Sequence, residues 1–180
     1  MTAWRVCLMA VCLWFVQGCA GITDADPRGA KQQWFDKEIE MEVAGMVNKP
    51  PFRQQARINV VSYDGNVLLI GQATKQEIAN QLEQAIKQLT NVNAVYNQVR
   101  IRALPDLGEV SKDSWLTTKV KSMMVGSKQL KDASIKVITE NQEVFLLGYV
   151  TQEQANIATD IARNVDGVKQ VIKVFEYPDQ

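Results

Sequence analysis

The chain has 180 residues, 20 basic and 20 acidic side chains, and no histidine. Balanced charge argues against a nucleic-acid binder, which carries a basic field. The missing imidazole removes the commonest general base and metal ligand. Neither a hydrolase nor a zinc site is expected, and the composition suggests no cofactor and no small-molecule substrate.

The first residues read as a processing signal. Arg5 leads into an apolar run from Val6 to Val16, too short for a permanent membrane span. It ends in Val16-Gln17-Gly18-Cys19, a small residue immediately before a cysteine. That ending is similar to the bacterial lipobox, which implies a signal peptide over residues 1–18 and acylation of Cys19. An ordinary signal peptide, or an anchor that happens to contain Cys19, is the competing explanation. Ala20, not Asp, follows the cysteine, and similarity to enterobacterial-type sorting rules then favours the outer membrane. Cleavage would remove Cys7 and Cys12, and lipid would consume Cys19, so no thiol would remain for a disulfide, a metal or catalysis. Residues 19–33, with Asp26-Pro27-Arg28-Gly29, read as a lipidated flexible tether.

Beyond the tether, one pattern is written twice at an offset of 77 residues. A helix is expected from Trp34 to Val47, stopping before Pro50-Pro51. Strands follow over Arg57–Ser62 and Val67–Gln72, joined by Asp64-Gly65, a strong hairpin-turn signal. Thr74-Lys75-Gln76-Glu77 fits a capping box, and Ile78, Leu82, Ala85, Ile86 and Leu89 line one face of the helix behind it. Ala94–Ile101 closes the unit as a strand. The segment 103–110 contains Pro105 and Gly108 but also Leu104, Leu107 and Val110, and is expected to lie on a surface as a strap.

The second copy repeats this order. A helix is expected from Ser111 to Val125, then Ile135-Lys136-Val137, a turn at Glu140-Asn141-Gln142-Glu143, and Val144-Phe145-Leu146-Leu147-Gly148. A second capping box at Thr151-Gln152-Glu153-Gln154 precedes a helix lined by Ala155, Ala158, Ile161, Ala162 and Val165, and Val168–Tyr177 closes the unit. The chain is thus α+β, with a first domain over 34–102 and a second over 111–180. In each, two helices pack on one face of a three-stranded mixed sheet. Leu68, Ile70, Phe145 and Leu147 point to the other face. The other domain or a terminal segment would cover that face, or else a partner protein would.

The repeated strand–turn–strand ending in Val-Leu-Leu-Ile-Gly or Val-Phe-Leu-Leu-Gly, then Thr and an amphipathic helix, then Val-Tyr-Asn-Gln-Val or Val-Ile-Lys-Val, resembles the BON domain. Two such domains behind a lipobox are similar to the dual BON-domain outer-membrane lipoproteins. The resemblance covers residues 34–177 and the signal, and is most specific over Gly108–Val120. It implies a lipid-anchored, periplasm-facing protein that binds phospholipid, supports outer-membrane integrity and is associated with the division site.

The copies differ most on their leading helices. Ile39, Val43, Met46 and Val47 recur as Leu116, Val120, Met123 and Met124, spaced as a buried stripe. Outside that stripe, Glu38 becomes Trp115 and Glu42 becomes Lys119. Residues 34–50 carry a net charge of −2 and residues 111–127 a net of +2. Tryptophan favours the bilayer interface, and lysine favours anionic headgroups. The candidate lipid-binding residues are Lys112, Trp115, Thr118, Lys119, Ser122 and Met123, facing an anionic phospholipid membrane. Against this, Trp115 could be a packing residue, and Trp34-Phe35 is expected to be a hydrophobic lid on the first helix. The competing class is a periplasmic interaction scaffold, which would hold outer-membrane assembly proteins through sheet edges or the acidic helix around Glu38–Glu42. As an enzyme, the chain could offer only Ser111, Lys112 and Asp113, which read better as a helix N-terminus.

Overall fold

The computed structural model describes residues 28–178. The expected signal peptide, Cys19 and the tether up to Pro27 lie outside the described residues. The elements run α1 (Ala30–Val47), β1 (Ala56–Tyr63), β2 (Asn66–Ala73), α2 (Gln76–Ile86), β3 (Ala94–Ile101), α3 (Leu107–Val125), a 3-10 turn (Lys128–Leu130), β4 (Lys136–Glu140), β5 (Glu143–Tyr149), α4 (Gln152–Arg163) and β6 (Gln170–Glu176). Each half is a three-stranded mixed sheet: the hairpin strands pair antiparallel, and the last strand joins β2 or β5 in parallel.

Strand alternation builds two kinds of core. Val67 and Leu69 face α1 and α2, meeting Ile39, Val43, Ile78, Leu82 and Ile86. Val144 and Leu146 likewise meet Leu116, Val120, Met124, Ala158 and Ala162 of α3 and α4. The residues between them, Leu68, Ile70, Phe145 and Leu147, form a third cluster with Val61. The orphan apolar faces therefore cover each other. The molecule has four layers, with helices outside and the two sheets stacked in the middle. Burial of a large aliphatic or aromatic side chain contributes about 1.5–3 kcal/mol, so this shared cluster stabilises two halves that are small on their own.

Gly71 and Gly148 occupy equivalent places, with φ of 148° and 154°. A Cβ at Gly71 would stand 2.1 Å from the Arg57 carbonyl oxygen, and one at Gly148 would stand 2.3 Å from that of Ser134. Both glycines thus admit the backbone of the adjacent segment, at Arg57 and at Ser134, at close range.

Three local expectations are corrected. α2 begins at Gln76 with Lys75 as its cap and no side-chain capping bond, so the Thr74 box does not form, whereas the Thr151–Gln154 box does. The Thr74 amide instead donates to Gln55 O at 2.8 Å. α3 opens four residues before Ser111, because Asp106 and Glu109 form a reciprocal capping box. The strap's second half is therefore helix, and Leu107, expected to lie against a surface, is 85 % exposed.

Candidate functional site

The Asp106 side chain accepts from the Glu109 amide at 2.8 Å, and the Glu109 carboxylate accepts from the Asp106 amide at 3.1 Å and from Arg102 at 3.0 Å. Two orphan amides at the start of α3 are thereby satisfied, and the helix is tied to the end of the first domain. With 3.6 residues per turn, Leu116, Val120 and Met124 face the sheet, while Leu107, Ser111, Trp115, Thr118, Ser122 and Val125 form a stripe on the opposite side.

The structure brings all six predicted residues to this outer side. Trp115 is 54 % exposed, with Lys119 Nζ 4.8 Å from its ring centroid. Lys112, Thr118 and Ser122 are exposed, and the Thr118 hydroxyl donates to Ser114 O at 2.9 Å. Met123 is 42 % exposed, which corrects its place in the expected buried stripe: Met124 takes the core position alone. Lys112, Lys119 and Met123 flank the stripe on one side and Lys121 flanks it on the other. Sequence reasoning missed the stripe's apolar ends, Leu107 and the 88 % exposed Val125. The spacing of three and four residues that links Leu107, Ser111, Trp115, Thr118, Ser122 and Val125 was the available signal.

Asp113, expected at a helix N-terminus, lies inside α3 and is buried. Its carboxylate accepts from the Asn141 and Gln142 amides, both at 2.8 Å. Those residues have φ of 54° and 66°, the left-handed pair that a two-residue hairpin turn requires. Asp36, 77 residues earlier, does the same work for the first hairpin, accepting from the Asp64 and Gly65 amides at 2.9 Å and from Ser62 Oγ at 2.6 Å. These two aspartates brace turns. Ser111 and Lys112 stay on the surface, so the conceivable catalytic trio is dispersed.

α1 offers the same outer face with the opposite sign. Trp34 and Met41 are 65 % and 57 % exposed, with Glu38 and Glu42 exposed beside them. Trp34 is therefore no lid, although Phe35 is half-buried, with Lys31 Nζ 5.5 Å from its ring. The main cleft, about 650 Å³, opens between the sheets beside Leu68, Tyr96, Phe145, Leu147 and Ile172. Among the described residues, no cluster of three or more His, Cys, Asp or Glu could hold a metal ion, and no helix is long and apolar enough to cross a membrane.

A tandem of helix–strand–strand–helix–strand units, sheet against sheet, with a tryptophan-and-lysine face on the second leading helix, defines a class. The chain belongs to the BON-domain family, whose pattern matches residues 35–103 and 112–179. It is 43 % identical over 176 residues to the outer membrane lipoprotein DolP of Haemophilus influenzae, covering 92 % of this chain and 91 % of that one. It is 42 % identical over 153 residues to a 21 kDa hemolysin of Actinobacillus pleuropneumoniae, covering 84 % of this chain and 79 % of the relative. The osmotically-inducible protein Y of Escherichia coli is 35 % identical over 85 residues, covering 47 % of this chain and 41 % of the relative. By this kinship the chain is a dual BON-domain lipoprotein of the outer membrane, lipid-anchored and facing the periplasm.

Proposed function

We propose that this lipoprotein is non-enzymatic, binds anionic phospholipid through the outer face of α3, and by doing so supports outer-membrane integrity, including at the division site. One observation carries the proposal: Trp115 stands half-exposed under Lys119, at the centre of a stripe that is apolar at its ends and hydroxyl-bearing between, flanked by Lys112 and Lys121. The indole suits the acyl boundary, and the ammonium groups suit headgroup phosphates. Each lysine near an anionic surface contributes about 1 kcal/mol. Three lysines and one tryptophan give weak, reversible attachment. That suffices for a protein already held at the membrane by its acyl chains, because the anchor raises the local concentration of lipid.

Vesicle co-sedimentation tests this. The soluble mature chain is expected to sediment with vesicles containing phosphatidylglycerol and not with pure phosphatidylcholine, and Trp115→Glu or Lys119→Glu is expected to abolish the binding. Unchanged binding by both variants would reject α3 as the site.

A second proposal, an interaction scaffold for outer-membrane assembly proteins, is favoured by the exposed Trp34 and Met41 on acidic α1. Scaffolding alone would leave sedimentation indifferent to lipid charge.

A further inference from the structure

The interface between the two sheets has an apolar centre and polar contacts at its two ends, a Lys136–Glu40 ion pair at one and a buried carboxylate at the other. There Glu140, 7 % exposed at the end of β4, reaches across to the first domain. One carboxylate oxygen accepts from Gln72 Nε2 at 2.6 Å, and the other from Asn59 Nδ2 at 3.3 Å. Gln72 is 2 % exposed, and its own carbonyl oxygen has no donor among the described residues.

This cluster is complementary to only one protonation state. An ionised carboxylate accepts and never donates, so it serves both amide NH₂ groups and leaves the Gln72 carbonyl stranded. A stranded buried carbonyl is costly. A protonated Glu140 carries one O–H, and a carboxylic acid facing a primary amide can form a two-bond ring. In that ring the amide N–H donates to the acid carbonyl, and the acid O–H donates to the amide carbonyl. The hydroxyl oxygen can still accept from Asn59.

We propose that Glu140 and Gln72 form a proton-operated latch between the two domains: protonation completes the acid–amide ring and closes the sheets on each other, and ionisation loosens them. Loosening would uncover Leu68, Ile70, Phe145 and Leu147, the apolar faces that each domain now shields in the other.

The surroundings agree with this. Burial pushes the Glu140 carboxyl up; the bond from Gln72 pulls it down, Asp113 of α3 pushes it up further, and Arg57 of β1 and Arg102 beyond β3 pull it down, with a net rise. The nearby Arg100 of β3 is engaged by Glu143 of β5 at 2.6 Å. For a carboxyl raised by docking, the stabilisation is fully present below the ordinary value of 4.5 and is lost as pH rises through the docked value.

Glu40, another carboxylate that bridges the domains, behaves oppositely. Burial raises Glu40, but bonds from Lys136 across the interface and from Lys37, each 2.9 Å, together with the Ser62 amide, outweigh it and hold the group low. Its contribution is present above 4.5 and is lost only as pH falls through the lowered value. Docking is therefore tightest in a mildly acidic window bounded by these two groups.

Spin labels on the outer helices test the latch. Gln81→Cys and Glu153→Cys, both at exposed positions, are introduced into the mature chain carrying Cys19→Ser. Pulsed dipolar spectroscopy then reads the interdomain distance between pH 5 and pH 8. The closed, narrow distance population is expected to shrink as pH rises. Glu140→Gln, an isosteric change whose NH₂ supplies the missing donor, is expected to keep the domains closed at every pH. Glu143→Gln, which removes the neighbouring ion pair, is expected to leave the pH profile in place. A closed population that stays constant from pH 5 to pH 8, or a pH profile that survives Glu140→Gln, would overturn the proposal.

Discussion

α1 and α3 are the same helix used twice. Each packs an equivalent stripe on its sheet, Ile39 and Val43 in one, Leu116 and Val120 in the other, and each carries a buried aspartate that braces the following hairpin. Each also leaves a tryptophan and a methionine in solvent, Trp34 with Met41 and Trp115 with Met123. Leu107 and Val125 add exposed apolar area at the ends of α3, but an exposed tryptophan and methionine alone do not separate the two helices. Charge does: Glu38 and Glu42 sit beside the first pair, and Lys112, Lys119 and Lys121 beside the second. A tryptophan finds the acyl boundary only where its neighbours tolerate anionic headgroups, so the sign of the surrounding charge decides which helix meets lipid.

The largest expected effect removes what the helices share. Asp113→Ala should cost about 3 kcal/mol, since it strips a buried carboxylate from two amides of a left-handed turn that has no glycine. Asp36→Ala should cost at least as much, because its bonds from Arg28 and Ser62 are lost as well. Urea unfolding of both variants checks this, and a loss below about 1 kcal/mol in either would mean that the turns do not depend on the brace.

A reversal of charge comes next. Lys119→Glu removes one favourable lysine and adds one unfavourable carboxylate, about 2 kcal/mol or roughly thirtyfold in vesicle affinity, with the thermal melt nearly unchanged. The reciprocal pair Glu38→Lys with Glu42→Lys should give α1 a measurable affinity for anionic vesicles even when Lys119→Glu has silenced α3. Failure of that transfer would show that α3 offers more than charge around a tryptophan. The smallest effect concerns the turns. Gln142→Gly, which gives the second hairpin the glycine present at Gly65, should raise stability by about 1 kcal/mol, because Gln142 bears a left-handed φ of 66°.

The 77-residue offset made the element order, the two helix-bearing cores and the outward change at Trp115 and Lys119 legible, because hydrophobic period is local information. What escaped was long-range polar pairing. Asp36 and Asp113 recur at the same offset, but they look like surface residues until the hairpin amides 28 and 29 positions away are seen. Glu140 looked like a turn residue, and its partners Gln72 and Asn59 lie 68 and 81 positions away. Met123 and Met124 were indistinguishable as core candidates, since a one-residue step turns a helix by 100° and methionine suits either side. The early start of α3 was missed because Pro105 and Gly108 masked the Asp106–Glu109 capping box.

Amide chemical-shift mapping on the soluble mature chain, titrated with phosphatidylglycerol micelles, tests the lipid assignment most directly. Perturbations should concentrate on α3 around Trp115 and Lys119, including the indole N–H, while α1 around Trp34 and Met41 stays unperturbed. Shifts centred on α1 or in the cleft between the sheets, with α3 silent, would contradict it.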